Sequence, residues 1–207
     1  EDLVIQSDKA VDLFPSLPTF YYFSGVGNHQ LKKYKEAIES FESGIDYCID
    51  NAELKMEFYQ YLGDIYYATN DYGSSDMYYD QALAIDPNNI YVLNNYSYYL
   101  AIRNENLEKA RTMSEKVNKI VPNNANYLDT FGWVYFKMKD YTKSEEIFKK
   151  ALEIGGKEDA TILEHYGDVL YHLNRKSEAL EYWQKAKEKG NDSSTLQKKI
   201  TTKTYID

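Results

Sequence analysis

Tyr59-Gln60-Tyr61-Leu62-Gly63-Asp64-Ile65-Tyr66-Tyr67, then Tyr72-Gly73-Ser74-Ser75-Asp76-Met77-Tyr78-Tyr79-Asp80-Gln81-Ala82, then Pro87, form the stretch that decides the fold. A small residue, Gly63, is followed twelve positions later by Ser75, four further on by an aromatic, Tyr79, and three beyond that by Ala82. The same frame recurs as Gly25, Ala37, Phe41 and Gly44, as Gly132, Ser144, Phe148 and Ala151, and as Gly167, Ala179, Trp183 and Ala186. A weaker copy runs through Ser97 or Tyr98, Ala110, Ser114 and Val117. Pro15, Pro87 and Pro122 each fall five residues after Ala10, Ala82 and Val117. A recurrence at this spacing is the mark of a repeat architecture, in which no unit buries its apolar face alone and stacking supplies the core.

The remaining composition is consistent with that. The 207 residues carry 24 Lys and Arg against 33 Asp and Glu, a formal charge of −9. Acidity of this degree, with no basic run, argues against a nucleic-acid partner, which needs Lys and Arg gathered on one face. The single cysteine, Cys48, cannot pair within the chain and reads as a buried thiol. No apolar run reaches the roughly 18 residues of a membrane span. The chain opens on Glu1-Asp2 and reads as helix at once, so upstream repeats are expected, and a signal peptide or lipid anchor would lie before residue 1.

The residues Tyr59, Leu62, Gly63, Tyr66, Tyr72, Ser75, Tyr79, Ala82 and Pro87 resemble the tetratricopeptide repeat, a helix-turn-helix unit of about 34 residues. The resemblance implies an all-α fold, a right-handed superhelical solenoid over residues 1–192 with five helix pairs at 17–49, 53–85, 89–120, 124–154 and 159–188. Residues 1–15 are expected to be the second helix of a partial repeat, and 193–207 a capping helix with Leu196, Ile200 and Tyr205 on its apolar side. Pro87-Asn88-Asn89 and Pro122-Asn123-Asn124 stop one helix and cap the next, and Gly155-Gly156 supplies a left-handed C-cap. Four extra residues around Asp50–Glu53 are expected to lengthen the neighbouring helices. Each unit's small residues are expected to face the next unit's aromatics.

No catalytic signature is present: neither GxSxG, HExxH, a P-loop nor an EF-hand loop occurs, and no cofactor is implied. Gly25-Val26-Gly27 lacks the third glycine of a dinucleotide loop and reads as close helix packing. Glu164, Asp168 and His172 lie at i, i+4 and i+8, with His165 one residue off; a solvated polar stripe is favoured over a metal site, because one helix seldom converges three ligands.

In tetratricopeptide proteins the first helix of each pair lines a concave groove for a peptide or partner helix. Here the resemblance assigns that lining to Tyr22, Val26 and His29; Gln60, Asp64 and Tyr67; Asn94, Tyr98 and Ile102; Asp129, Trp133 and Phe136; and Glu164, Asp168 and Tyr171. Four of these are acidic and none is Lys or Arg, unlike the family's carboxylate-clamping members. The expected function is a non-enzymatic interaction scaffold for a protein or peptide segment with basic and aromatic side chains. The alternative is an architectural homo-oligomer, with self-association through the truncated first repeat. Leu93–Leu100, Leu128–Val134, Glu164–Asp168 and Ala179–Trp183 are further similar to a group of bacterial repeat proteins, often exported as lipoproteins of the Gram-negative envelope. That likeness, over residues 82–190, implies a periplasmic or outer-membrane-associated location, with the cytoplasm as the alternative.

Overall fold

Short polar side chains start most of the helices. Asn51 Oδ1 accepts from the Leu54 amide, Asp71 from Ser74, Asn89 from Val92, Asn124 from Asn126 and Tyr127, Asp140 from Lys143, and Asp159 from Thr161 and Ile162. Each such cap satisfies amide groups that the first helical turn leaves without partners. The computed structural model describes residues 1–206, and among them are twelve α-helices, one 3-10 turn at Gly156–Glu158 and no strand. The fold is all-α and made of consecutive antiparallel helix pairs.

The chain divides into two compact units, residues 1–92 and 93 onward. The first holds α1 (Asp2–Leu13), α2 (Pro18–Gln30), α3 (Tyr34–Ile45), α4 (Ala52–Ala68) and α5 (Tyr72–Ile85). In it each helix packs on the next, and α2 also touches α4. Helix α6 (Ile90–Arg103) begins at the end of this unit and lies mostly in the second. There follow α7 (Leu107–Ile120), α8 (Ala125–Lys137), α9 (Tyr141–Glu153), α10 (Ala160–His172), α11 (Lys176–Glu188) and α12 (Ser194–Thr202). From α7 onward neighbours again pack in order, and α8 touches α10. That next-but-one contact lines up the first helices of successive pairs on one face. Of the helices flanking Asp50–Glu53, only α4 is long, at 17 residues, whereas α3 stops at Ile45.

Packing of the recurrent small residues differs from expectation in one respect. A Cβ on Gly25, Gly63, Gly132 or Gly167 would lie 2.4–2.7 Å from Phe41, Tyr79, Phe148 or Trp183 respectively, so each glycine accommodates the aromatic of its own pair, not of the next. The ring sits sixteen residues on because the second helix runs back along the first, and it packs against the bare backbone. Gly44 performs the role first assigned to all of them: its Cβ would meet Phe58 of the following helix at 2.7 Å. Full burial of these four rings stabilises by roughly 1.5–3 kcal/mol each. Ser75 and Ser144 add a tie across their pairs, donating to the carbonyls of Gly63 and Gly132 at 2.8 and 2.7 Å.

A second periodicity lies in the backbone. Lys32, Asn70, Asn104, Lys139 and Asn174 all adopt left-handed φ of 56–65° in the turn joining the two helices of a pair. Three are Asn, the non-glycine residue that tolerates this conformation best.

Candidate functional site

The residue after each packing glycine is matched to the aromatic that covers it. Asp64 follows Gly63 and accepts from the Tyr79 hydroxyl; Asp168 follows Gly167 and accepts from Trp183 Nε1 at 2.9 Å. Where the ring is phenylalanine, with no polar tip, the matching residue is Val26 or Trp133. Each aspartate also takes a second donor from a later helix: the Tyr91 hydroxyl reaches Asp64 at 2.7 Å, and Lys199 Nζ reaches Asp168 at 2.8 Å. These two carboxylates hold their own repeats together. Asp168 is therefore not the solvated groove charge that the sequence suggested, whereas Asp64 is half-buried.

In the first unit the α2–α4 face carries the expected aromatics. Tyr22 is half-buried among Phe41, Phe58 and Tyr61, with centroids 6.5, 6.0 and 5.9 Å away, and burial beside Glu57 pushes its hydroxyl pKa well up. His29 lies 5.7 Å from Tyr61, and Tyr67 5.3 Å from Tyr72. Val26 and Gln60 are half-buried. Gly27 is pressed against Val4 of α1, which fits packing and not a phosphate loop. Cys48 is buried with its thiol pKa raised by that burial.

In the second unit Asp129 and Trp133 of α8 meet His165 of α10, and Phe136 meets His172. Trp133 is only 8% exposed, stacked on His165 at 4.0 Å and on Phe136 at 4.7 Å. His165 Nδ1 bonds Asp129 Oδ1 at 2.8 Å; burial works against the imidazolium, but the Asp129 charge and hydrogen bond outweigh it and raise the pKa. Asn94 and Tyr98 line a hollow of about 260 Å³ with Asn126, Asp129 and Thr161, and Ile102 is exposed beside another.

Glu164, Asp168 and His172 of α10 do not form the solvated polar stripe expected of them. Asp168 is 1% exposed, and burial pushes its carboxyl up to about 6 against the opposing pull of Lys199. Glu164 accepts from Lys199 at 2.7 Å and from Asn191 at 2.6 Å. His172 is elsewhere, stacked on Tyr141 at 4.7 Å and against Tyr205 at 4.7 Å. Among the described residues no three His, Cys, Asp or Glu side chains are placed to hold a metal ion.

Lys199 is the participant that the sequence did not point to, and Tyr205, expected on a capping helix over 193–207, lies beyond the end of that helix at Thr202. Both come from the tail: Lys199 projects from α12 beside the fully buried Leu196, and Tyr205 lies 5.8 Å from Phe136 and 6.5 Å from Tyr171. The spacing of Lys199 three residues after Leu196 was the available signal, since such residues share a helix face. Arg103, Lys137 and Lys139 border the hollow of about 360 Å³ next to Tyr205, so the face is not free of basic residues as its first-helix lining implied.

A family profile described as "Tetratricopeptide repeat" matches residues 130–194, and another so described matches 57–89, windows that contain the Gly132, Gly167 and Gly63 frames. This is a tetratricopeptide repeat protein. Solved structures with the same fold include PilF of Pseudomonas aeruginosa, at 20% identity and TM-score 0.71 over 95% of this chain and 85% of that one. MamA from Desulfovibrio magneticus RS-1, residues 41 to the end, superposes at 19% identity and TM-score 0.72 over 85% and 97%. A tetratricopeptide repeat protein from Parabacteroides merdae gives 14% and 0.69 over 97% and 76%. No curated protein sequence matches the chain. No described helix is long and apolar enough to cross a membrane.

Proposed function

We propose that the protein is a non-enzymatic interaction scaffold, and that its α8–α10 face seats a partner segment anchored by an aromatic side chain with Lys or Arg nearby. The observation that carries this is the chain's own tail. Tyr205 rests against Phe136, Tyr171 and His172, while Lys199 lies between Glu164 and Asp168. An aromatic anchor in a desolvated seat supplies most of the energy of such an interface, and the overall charge of −9 steers a basic segment toward it. Fluorescence polarisation against labelled Lys- and Trp-containing peptides tests the proposal. Tyr171→Ala should weaken binding about tenfold, the scale of a modest hot spot, and raised salt should slow association. Better binding by acidic peptides, or indifference to Tyr171→Ala, would refute it.

We also infer a location in the Gram-negative envelope, supported by the sequence likeness over residues 82–190. Fractionation of cells making the protein from its natural gene tests this, and a purely cytoplasmic distribution would overturn it.

A second reading, self-association, is favoured by Ile5, Leu13, Phe14 and Leu17, which are about half exposed or more near the N-terminus. Sedimentation velocity of Leu13→Glu against the unaltered chain tests it: a monomer in both cases removes it.

A further inference from the structure

We infer that residues 203–206 are a displaceable plug on the α8–α10 face, and that a partner binds by inserting its own aromatic side chain where Tyr205 sits. The inference rests on the function just proposed, and it adds that the site is closed by the chain itself.

The tail is buried up to one point and more exposed after it. Leu196 is fully buried and Lys199 is 4% exposed, so α12 is anchored by packing on α11 and by the Lys199 bonds to Glu164 and Asp168 of α10. The helix ends at Thr202, and Lys203 takes a left-handed φ of 54° that turns the chain aside. Lys203 and Thr204 are exposed. Tyr205 then returns to the face, half-buried, with its ring 5.3 Å from the Lys199 ammonium.

The plug also fills its seat incompletely. One hollow of about 170 Å³ is lined by Trp133, His165, Lys199 and Tyr205. Another, of about 360 Å³, is lined by Ile102, Phe136, His172 and Tyr205. Tyr205 belongs to both, so its departure would open the space on either side of it. Trp133 contributes a further sign of an unfinished site: its indole N–H is buried without an acceptor. A buried donor in that state is costly, and the main-chain carbonyl of an incoming segment would satisfy it. The geometry therefore fits a segment with a bulky aromatic and an adjacent carbonyl, in place of one returning tyrosine ring.

A tethered segment competes at an effective concentration in the millimolar range, so it masks a weak external ligand without blocking a strong one. The probe is a fluorescein-labelled peptide of the chain's own sequence from Ile200 to Ile206. On the full chain carrying Tyr205→Ala it should bind at least about tenfold more tightly than on the unaltered chain, as expected when a tethered competitor is removed. Tyr205→Phe should behave as the unaltered chain, since it keeps the ring. In nitrogen-15 spectra, adding the peptide to the Tyr205→Ala protein should move the Trp133 indole N–H signal and leave that of Trp183, already bonded to Asp168. Circular dichroism checks that Tyr205→Ala remains folded.

Equal affinity for both proteins would overturn the plug, as would absence of binding with a stationary Trp133 signal. The underlying function is judged separately, by the Lys- and Trp-containing peptides on the Tyr205→Ala protein. If those bind with sensitivity to Tyr171→Ala while the plug test fails, only the plug is lost.

Discussion

Lys199→Met should destabilise the second unit, and should do so much more at pH 8 than at pH 5. The lysine lies 2.8 Å from Asp168, which is 1% exposed, and 2.7 Å from Glu164. Removing one partner of a buried ion pair leaves a stranded charge, at a cost of about 3–5 kcal/mol. Asp168 can escape part of that cost by taking up a proton. With the lysine present, burial already holds it at about 6, above its ordinary 3.8. A carboxyl with a raised folded pKa binds more protons folded than unfolded, so its contribution to stability falls as pH rises through that window. Without Lys199 the window extends upward, and each further pH unit costs about 1.4 kcal/mol.

The assay is urea unfolding of the full chain followed by tryptophan fluorescence. Both tryptophans, Trp133 and Trp183, lie in the second unit, so the signal reports on it selectively. The double variant Lys199→Met/Asp168→Asn should recover most of the loss at pH 8. The same destabilisation at both pH values, or none at pH 8, would refute the assignment of Lys199 as the counter-charge of Asp168.

Two further outcomes follow from the packing. Tyr79→Phe alone should cost roughly 1 kcal/mol by taking a donor from Asp64, whereas Tyr79→Phe with Asp64→Val, which copies the Phe41 and Val26 arrangement, should cost less than the sum of the two single changes in thermal unfolding. Gly132→Val places a Cβ 2.7 Å from the Phe148 ring and should destabilise by about 1–3 kcal/mol as overpacking, an effect to be read from the urea midpoint of the tryptophan signal.

The helix pairs were legible because the constraint behind them is local and repeated. Only a glycine leaves room for the ring sixteen residues on, so Gly63 and Tyr79 advertise each other. What could not be read from single positions was the use of the polar groups. Asp64 and Asp168 stand on the first helices of their pairs, where a groove lining is expected, yet hydrogen bonds to Tyr79 and Trp183 commit them to the repeat itself. Recognising this requires comparing four copies and noticing that aspartate accompanies a polar-tipped ring while Val26 and Trp133 accompany phenylalanine. What Lys199 and Tyr205 touch was hidden for another reason. Their partners lie 31 or more residues away, on α8 and α10, and nothing in the repeat's period extends to a tail that is not a repeat.

Tyr205 also matters for how the protein is handled at the bench. An affinity handle or reporter joined after Asp207 is separated by only two residues from the ring that occupies the α8–α10 seat, and its bulk bears directly on whether that ring can settle. A handle joined before Glu1 leaves the tail untouched. Bait proteins fused at opposite ends would thus present different states of one surface, and partners recovered with only one of them would report on the seat's occupancy as well as on specificity.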